Sequence, residues 1–194
     1  MGMMYLIQYD IESKKSQKVT NYQGYEGLVS RFPNSNDILI SRKKDRKTIA
    51  NLYRLNTQTQ SVTPFIKLKD SVVHQIFWAE SLMLAIYKDD VVLIDFDGQV
   101  VEYLVKSEHN ESYPAMTKDM NKLVYVSDEL SKSDLYLKDI ASGKVVRLTE
   151  DDYPEFAPVI THYNHVIYSG VETNTLDILE RDFSGKLIKN YTTK

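Results

Sequence analysis

Side chains able to do chemistry are sparse in this 194-residue chain and fall in a few short stretches. Histidine occurs at His74, His109, His162 and His165. His162 and His165 lie three apart in an expected turn, and a metal site there would need two more ligands converging from other loops. His74 alternates with apolar neighbours, the pattern of a satisfied, half-buried ring rather than a general base. Asp128-Glu129 and Asp134 flank an oxygen-rich loop of the kind that can hold Ca²⁺. Asp128 and Asp134 are therefore the weak metal candidates, with turn capping as their plainer role; no metal and no other cofactor is expected. Glu150-Asp151-Asp152 with Glu155 forms a second acidic stretch, read as a solvated connection. Ser169 stands beside Gly170 at a strand exit but lacks the Gly-x-Ser-x-Gly elbow of a serine hydrolase. The chain has no His-Glu-x-x-His, no glycine-rich phosphate loop and no cysteine, so zinc-protease, nucleotide-loop and thiolate chemistry are excluded. The expectation is a protein that is not an enzyme.

Binding chemistry is better represented. Arg42-Lys43-Lys44-Asp45-Arg46-Lys47 places five basic residues in six. The run is read as a loop after a strand, facing either the acidic 150–155 stretch or an anionic partner. If it is a solvated hairpin tip, neutralising Arg42, Lys43, Lys44, Arg46 and Lys47 leaves folding intact. No aromatic lies within the run to stack on bases, and the net charge is −3, so nucleic acid is not expected as a partner. The aromatic binding candidates are Tyr25, Trp78, Tyr113, Tyr153 and Phe156, because large rings dominate interface energetics where they are exposed.

These side chains must be held by strands. Short apolar segments with period-2 alternation recur along the chain, and none shows ten residues of clean helical period. The segments repeat about every 42 residues, the signature of propeller blades. Ser112-Tyr113-Pro114-Ala115 returns as Asp152-Tyr153-Pro154-Glu155, and Ser142-Gly143-Lys144 returns as Ser184-Gly185-Lys186. Four units fit, 22–68, 69–110, 111–152 and 153–194. A leading half unit over about 4–21 matches only the second half of the others. Asp97-Gly98, Ser142-Gly143 and Ser184-Gly185 mark tight hairpin turns, where glycine reaches positive φ without a steric penalty. The expectation is an all-β propeller domain of four-stranded blades, four full and one half. Its ring either closes as five blades, stays open, or is completed by a second chain.

The best-kept unit carries a family resemblance. Tyr113-Pro114, then Thr117 to Asp128, then Asp134-Leu135-Tyr136-Leu137-Lys138-Asp139, Gly143-Lys144 and Arg147-Leu148-Thr149 resemble a TolB-type, WD-like repeat. Similar repeats build the propellers of prolyl-oligopeptidase-type peptidases and of the tricorn protease. Unit 111–152 matches closely, 153–194 moderately and the others in outline. The Ser-Pro-Asp-Gly turn of the family is Thr117-Lys118-Asp119-Met120 here, and Thr161-His162-Tyr163-Asn164 in the last unit. The resemblance implies a binding scaffold whose loop-rich face holds a protein or peptide. The alternative is a propeller enzyme or sugar-binding protein with a metal in the central channel.

No apolar run approaches the roughly 18 residues of a membrane helix. The N-terminal residues lack the basic and apolar regions of a secretion signal. A complete chain would thus be cytoplasmic, and one whose signal had been removed would be periplasmic or secreted. A homodimer is expected if the ring is open. The sequons Asn110-Glu111-Ser112 and Asn190-Tyr191-Thr192 are near chance frequency and argue for no compartment.

Overall fold

The computed structural model describes residues 6–32, 35–45, 47, 49–66, 72–79, 82–130, 132–171 and 175–192, with the backbone alone at 28, 29 and 72–79. Among these residues every regular element is a strand. A hairpin of β1 (Ile7–Asp10) and β2 (Lys15–Lys18) comes first. Four four-stranded antiparallel sheets follow. The first holds β3 (Tyr25–Arg31), β4 (Ile38–Lys43), β5 (Asn51–Leu55) and β6 (Val62–Ile66). The second holds β7 (Val72–Ala79), β8 (Leu82–Tyr87), β9 (Asp90–Ile94) and β10 (Val100–Val105). The third is β11 (Glu111–Met116), β12 (Lys122–Ser127), β13 (Asp134–Asp139) and β14 (Val145–Arg147). The fourth is β15 (Phe156–Ile160), β16 (His165–Val171), β17 (Leu176–Asp182) and β18 (Leu187–Asn190). Within each sheet, strand order follows chain order, so each is a simple meander.

Alternation along the strands gives every sheet two apolar faces, and neighbouring sheets bury them against each other. Leu39 and Leu52 of the first sheet meet Met83, Val92 and Ile94 of the second. Leu84, Val91 and Leu93 meet Leu123, Tyr125 and Tyr136 of the third. Val124, Val126, Leu135 and Leu137 meet Val166, Tyr168 and Leu179 of the fourth. Three buried clusters therefore join four sheets. Among the described residues no such cluster joins the fourth sheet to the first or to the hairpin. The sheets form an arc.

Turn chemistry sets the registers. Gly98, Gly143 and Gly185 take φ of 78°, 71° and 86° at the outer hairpin turns. Lys14 occupies the same place at φ 54° in the leading hairpin. The turns after the inner strands need positive φ too, and there the family's glycine is replaced by Met120 at 59° and Asn164 at 60°. The two turns are closed alike, by Met120 N to Thr117 O and Asn164 N to Thr161 O.

Each inner strand carries a bulge, and these bulges correct the repeat alignment read from the sequence. Tyr113 and Ala157 both sit at positive φ, 49° and 48°, immediately before Pro114 and Pro158. Ser112 pairs with Val126 ahead of one bulge, and Phe156 pairs with Ser169 ahead of the other. Glu111-Ser112-Tyr113-Pro114 therefore matches Glu155-Phe156-Ala157-Pro158, not the Tyr153-Pro154 pair four residues earlier. A second correction concerns the basic run. Arg42 and Lys43 are not loop residues but the end of β4, paired with Glu26 and Tyr25.

Candidate functional site

Two rims carry the loops. On one, the connections between sheets lie beside the loops that follow second strands, and the backbone stitches them together. Glu111 N donates to Asp89 O at 2.9 Å, and Glu155 N donates to Ser133 O at 2.8 Å. Asp128 accepts from both the backbone N and the Nδ2 of Asn110, at 2.8 and 2.5 Å. Lys132 pairs with Asp152 across the same gap.

The inner strand of three sheets starts on this rim with a buried glutamate: Glu26, Glu111 and Glu155 are 3%, 4% and 0% exposed. The registers make them equivalent, since Gly27, Ser112 and Phe156 are each the last paired residue before the bulge. The second sheet has Val72 at this place. A buried carboxylate is costly unless it is paired or hydrogen-bonded, and the three sites differ in how that need is met. Arg42 Nε donates to Glu26 Oε1 at 2.8 Å, and the Thr20 hydroxyl donates to Oε2. The Arg42 guanidinium also lies 4.8 Å from the centre of the Tyr22 ring and 5.4 Å from that of Tyr53. Glu111 Oε1 accepts from the hydroxyls of Ser107, at 2.9 Å, and Ser127, at 3.2 Å. Its Oε2 has no partner, and burial raises the pKa of the group above the usual glutamate range despite the two serines.

Glu155 is the extreme case. Neither of its oxygens is satisfied by a well-formed hydrogen bond, though the Asp151 carboxyl and the Thr149 hydroxyl lie near enough to act on its charge. Extending the register by one residue sets Glu155 opposite Gly170, where Glu111 has Ser127 and Glu26 has Arg42. Four residues before it stands Asp151, where Glu111 has Ser107. A glycine and a like charge thus replace two donors. Burial first, and then the negative charge of Asp151, push Glu155 up to about 8. Both effects favour the protonated form of a carboxyl closed off from solvent.

The candidates read from the sequence separate into two groups. Arg42 and Lys43 are half-buried; Arg42 holds Glu26, and the Lys43 ammonium lies 5.9 Å from the centre of the Tyr25 ring. Arg42 is therefore not a solvated hairpin-tip cation, and neutralising it would leave the buried Glu26 without its cation. Lys44 and Lys47 are exposed. Arg46 and the Trp78 side chain lie outside the described residues. Asp128 is held by Asn110, whose side-chain bond lowers its pKa. Asp134 is fully buried and receives Arg147 Nη2 at 2.7 Å; burial raises its pKa against that pairing. Among the described residues no group of three histidine, aspartate or glutamate side chains is placed to hold a metal ion.

Two of the aromatic candidates come together, while Tyr25 lies on the first sheet. Tyr113 and Phe156 meet edge to face, ring centres 6.3 Å apart, across the junction of the third and fourth sheets. Tyr153 is 40% exposed and Phe156 38% exposed. Leu130, which the sequence reading did not select, is exposed in the 128–134 loop. The opposite rim holds a cleft of about 370 Å³ between the Thr117 and Thr161 turns, floored by Met116 and Ile160 and edged by Lys118, Asp119 and His162. The His162 ring lies against that of Tyr163 there, tilted by 42°, with ring centres 3.7 Å apart.

The fold defined by these sheets and rims is that of TolB-type β-propellers. TolB from Acinetobacter baumannii superposes with a TM-score of 0.73 at 17% identity, over 94% of this chain and 47% of that one. A protein assigned as TolB from Agrobacterium tumefaciens gives 0.77 at 16% identity, over 96% and 68%. Dipeptidyl peptidase 4 of Porphyromonas gingivalis gives 0.61 at 12% identity, over 95% of this chain and 29% of the peptidase. The chain thus spans about half the length of the Acinetobacter TolB. No family model and no curated protein matches the sequence.

Proposed function

We propose that this chain is a non-catalytic, TolB-like propeller scaffold that holds a basic protein or peptide segment against its loop-rich rim. The observation that carries the reading is the surface over the third and fourth sheets. Tyr153, Phe156 and Leu130 stand exposed there. The two acidic stretches, Asp128-Glu129 and Glu150-Asp151-Asp152, border them on the same rim. Exposed rings serve as anchors, and a mainly acidic frame, in which Lys132 already pairs with Asp152, attracts the opposite sign. The basic run supports this surface less well, because Arg42 is engaged with Glu26. The non-catalytic part of the reading is supported by the missing nucleophile elbow.

The test is fluorescence anisotropy with a labelled peptide of alternating lysine and leucine. Binding is expected at low ionic strength, weakening as salt screens the acidic frame. The double variant Tyr153→Ala/Phe156→Ala and the double variant Glu150→Gln/Asp152→Asn should each weaken it by about tenfold or more. Lys44→Ser/Lys47→Ser should leave it unchanged. Equal binding by the variant without the rings, or preference for an alternating glutamate–leucine peptide, would overturn the reading.

A further inference from the structure

The last sheet leaves one apolar face bare. Its front, with Val166, Tyr168 and Leu179, is buried against the third sheet. On its back, Val159, Leu176, Ile178 and Tyr191 are 53%, 64%, 39% and 48% exposed. The register identifies this back as a continuation of the stack. In the third sheet the back-facing positions hold Val124 paired with Leu137 and Val126 paired with Leu135, all buried. The fourth sheet holds Ile167 paired with Glu180 and Ser169 paired with Ile178 in the same places. The back is therefore built as an inter-sheet face, with Glu180 and its cross-strand partner Lys189 set into it. Glu180 is fixed there by His165 Nδ1 and the Tyr191 hydroxyl, each at 2.7 Å, and these bonds hold it ionised.

The other end of the arc carries the matching front. The Asp10–Ser13 turn of the hairpin repeats the Asp139–Ser142 turn of the third sheet: Ser13 N donates to Asp10 Oδ1 and Ser142 N donates to Asp139 Oδ1. Counting back from those turns, Ile7 occupies the place of Tyr136, which faces the preceding sheet. Ile7 and Tyr9 are 58% and 57% exposed on that front. Lys18 is the cross-strand partner of Ile7, so a cation stands beside the apolar pair. One end thus offers apolar residues around Glu180, which Lys189 and His165 already face, and the other offers apolar residues beside Lys18, whose Nζ donates to Asn21 Oδ1.

We propose that a second copy of this chain covers the exposed back of the last sheet, packing it against the Ile7–Tyr9 face of the leading hairpin, head to tail. Continuity with the three internal interfaces, whose register the bare back repeats, supports this occupant over an unrelated one. A head-to-tail contact joins two different surfaces, so it closes a ring or propagates. It does not involve the aromatic rim, and its failure leaves the peptide-binding reading standing.

Light scattering coupled to size exclusion tests it on the full chain. Mass should rise from monomer toward dimer or beyond between low micromolar and near-millimolar concentration. Ile178→Asp blocks one end and Ile7→Asp the other, both at exposed positions, with circular dichroism to verify folding. Each variant alone should self-associate about 100-fold more weakly, the effect of an unpaired carboxylate in an interface. Mixed together, they should recover a one-to-one dimer and nothing larger, since each retains the end that the other lacks. A parent chain that is monomeric throughout, or an Ile7→Asp variant that dimerises alone, would overturn the proposal.

Discussion

Replacing Glu155 with glutamine should make the protein more stable, and increasingly so as pH rises. The carboxyl is fully buried, lacks a well-formed hydrogen bond and faces Asp151. Its folded pKa is pushed up to about 8, against 4.5 for an ordinary glutamate. Below 4.5 both folded and unfolded chains hold the proton, and the group has no pH-dependent effect. Between 4.5 and 8 the unfolded chain has lost the proton while the folded chain keeps it. Stability then falls with rising pH, at about 1.4 kcal/mol per pH unit. The loss reaches roughly 3 kcal/mol by pH 7 and levels off near roughly 5 kcal/mol above pH 8, an upper limit if the site relaxes or admits water. Glutamine has the same shape and no charge, so Glu155→Gln lacks this slope. Urea denaturation of both proteins at pH 5, 7 and 9 measures the difference directly. The midpoints should lie close at pH 5 and diverge steadily toward pH 9, with the variant higher. Parallel behaviour from pH 5 to 9, or a variant that weakens relative to the parent as pH rises, would show that Glu155 has a partner in solution.

Two other substitutions probe the same rim. Arg42→Met removes the cation from Glu26 and should cost about 3–5 kcal/mol in urea denaturation, whereas Lys44→Ser and Lys47→Ser should each stay within about 0.5 kcal/mol. Gly170→Ala should destabilise by about 1–3 kcal/mol. Its new methyl would lie 2.9 Å from Tyr168 Cε2 and 3.3 Å from Leu179 Cδ1, and a variant as stable as the parent would mean that the Tyr168 ring swings aside.

The strands were legible because local chemistry and global packing agree. Val124-Tyr125-Val126 alternates between two neighbouring sheets, and both faces are apolar, so the dense strand signal was unambiguous. Gly98, Gly143 and Gly185 marked outer turns that do require positive φ. The buried glutamates were not legible, for a physical reason. A glutamate at a strand start looks solvated in sequence, and its burial depends on a connection folding back from the preceding sheet. The Tyr-Pro repeat then misled by four residues: Pro158, not Pro154, lies in the bulge, so Glu155 was never set beneath Glu111. Arg42 was misread alike, because five cations in six residues suggested a loop while its own side chain reaches inward to Glu26.

The three clusters couple each sheet only to the sheets beside it. Cohesion therefore runs along a line, and loss of order has two fronts. An unfolding motor gripping either terminus would meet a series of comparable barriers, one per sheet, and the amides of β8, β9, β12 and β13 would be the last to exchange with solvent.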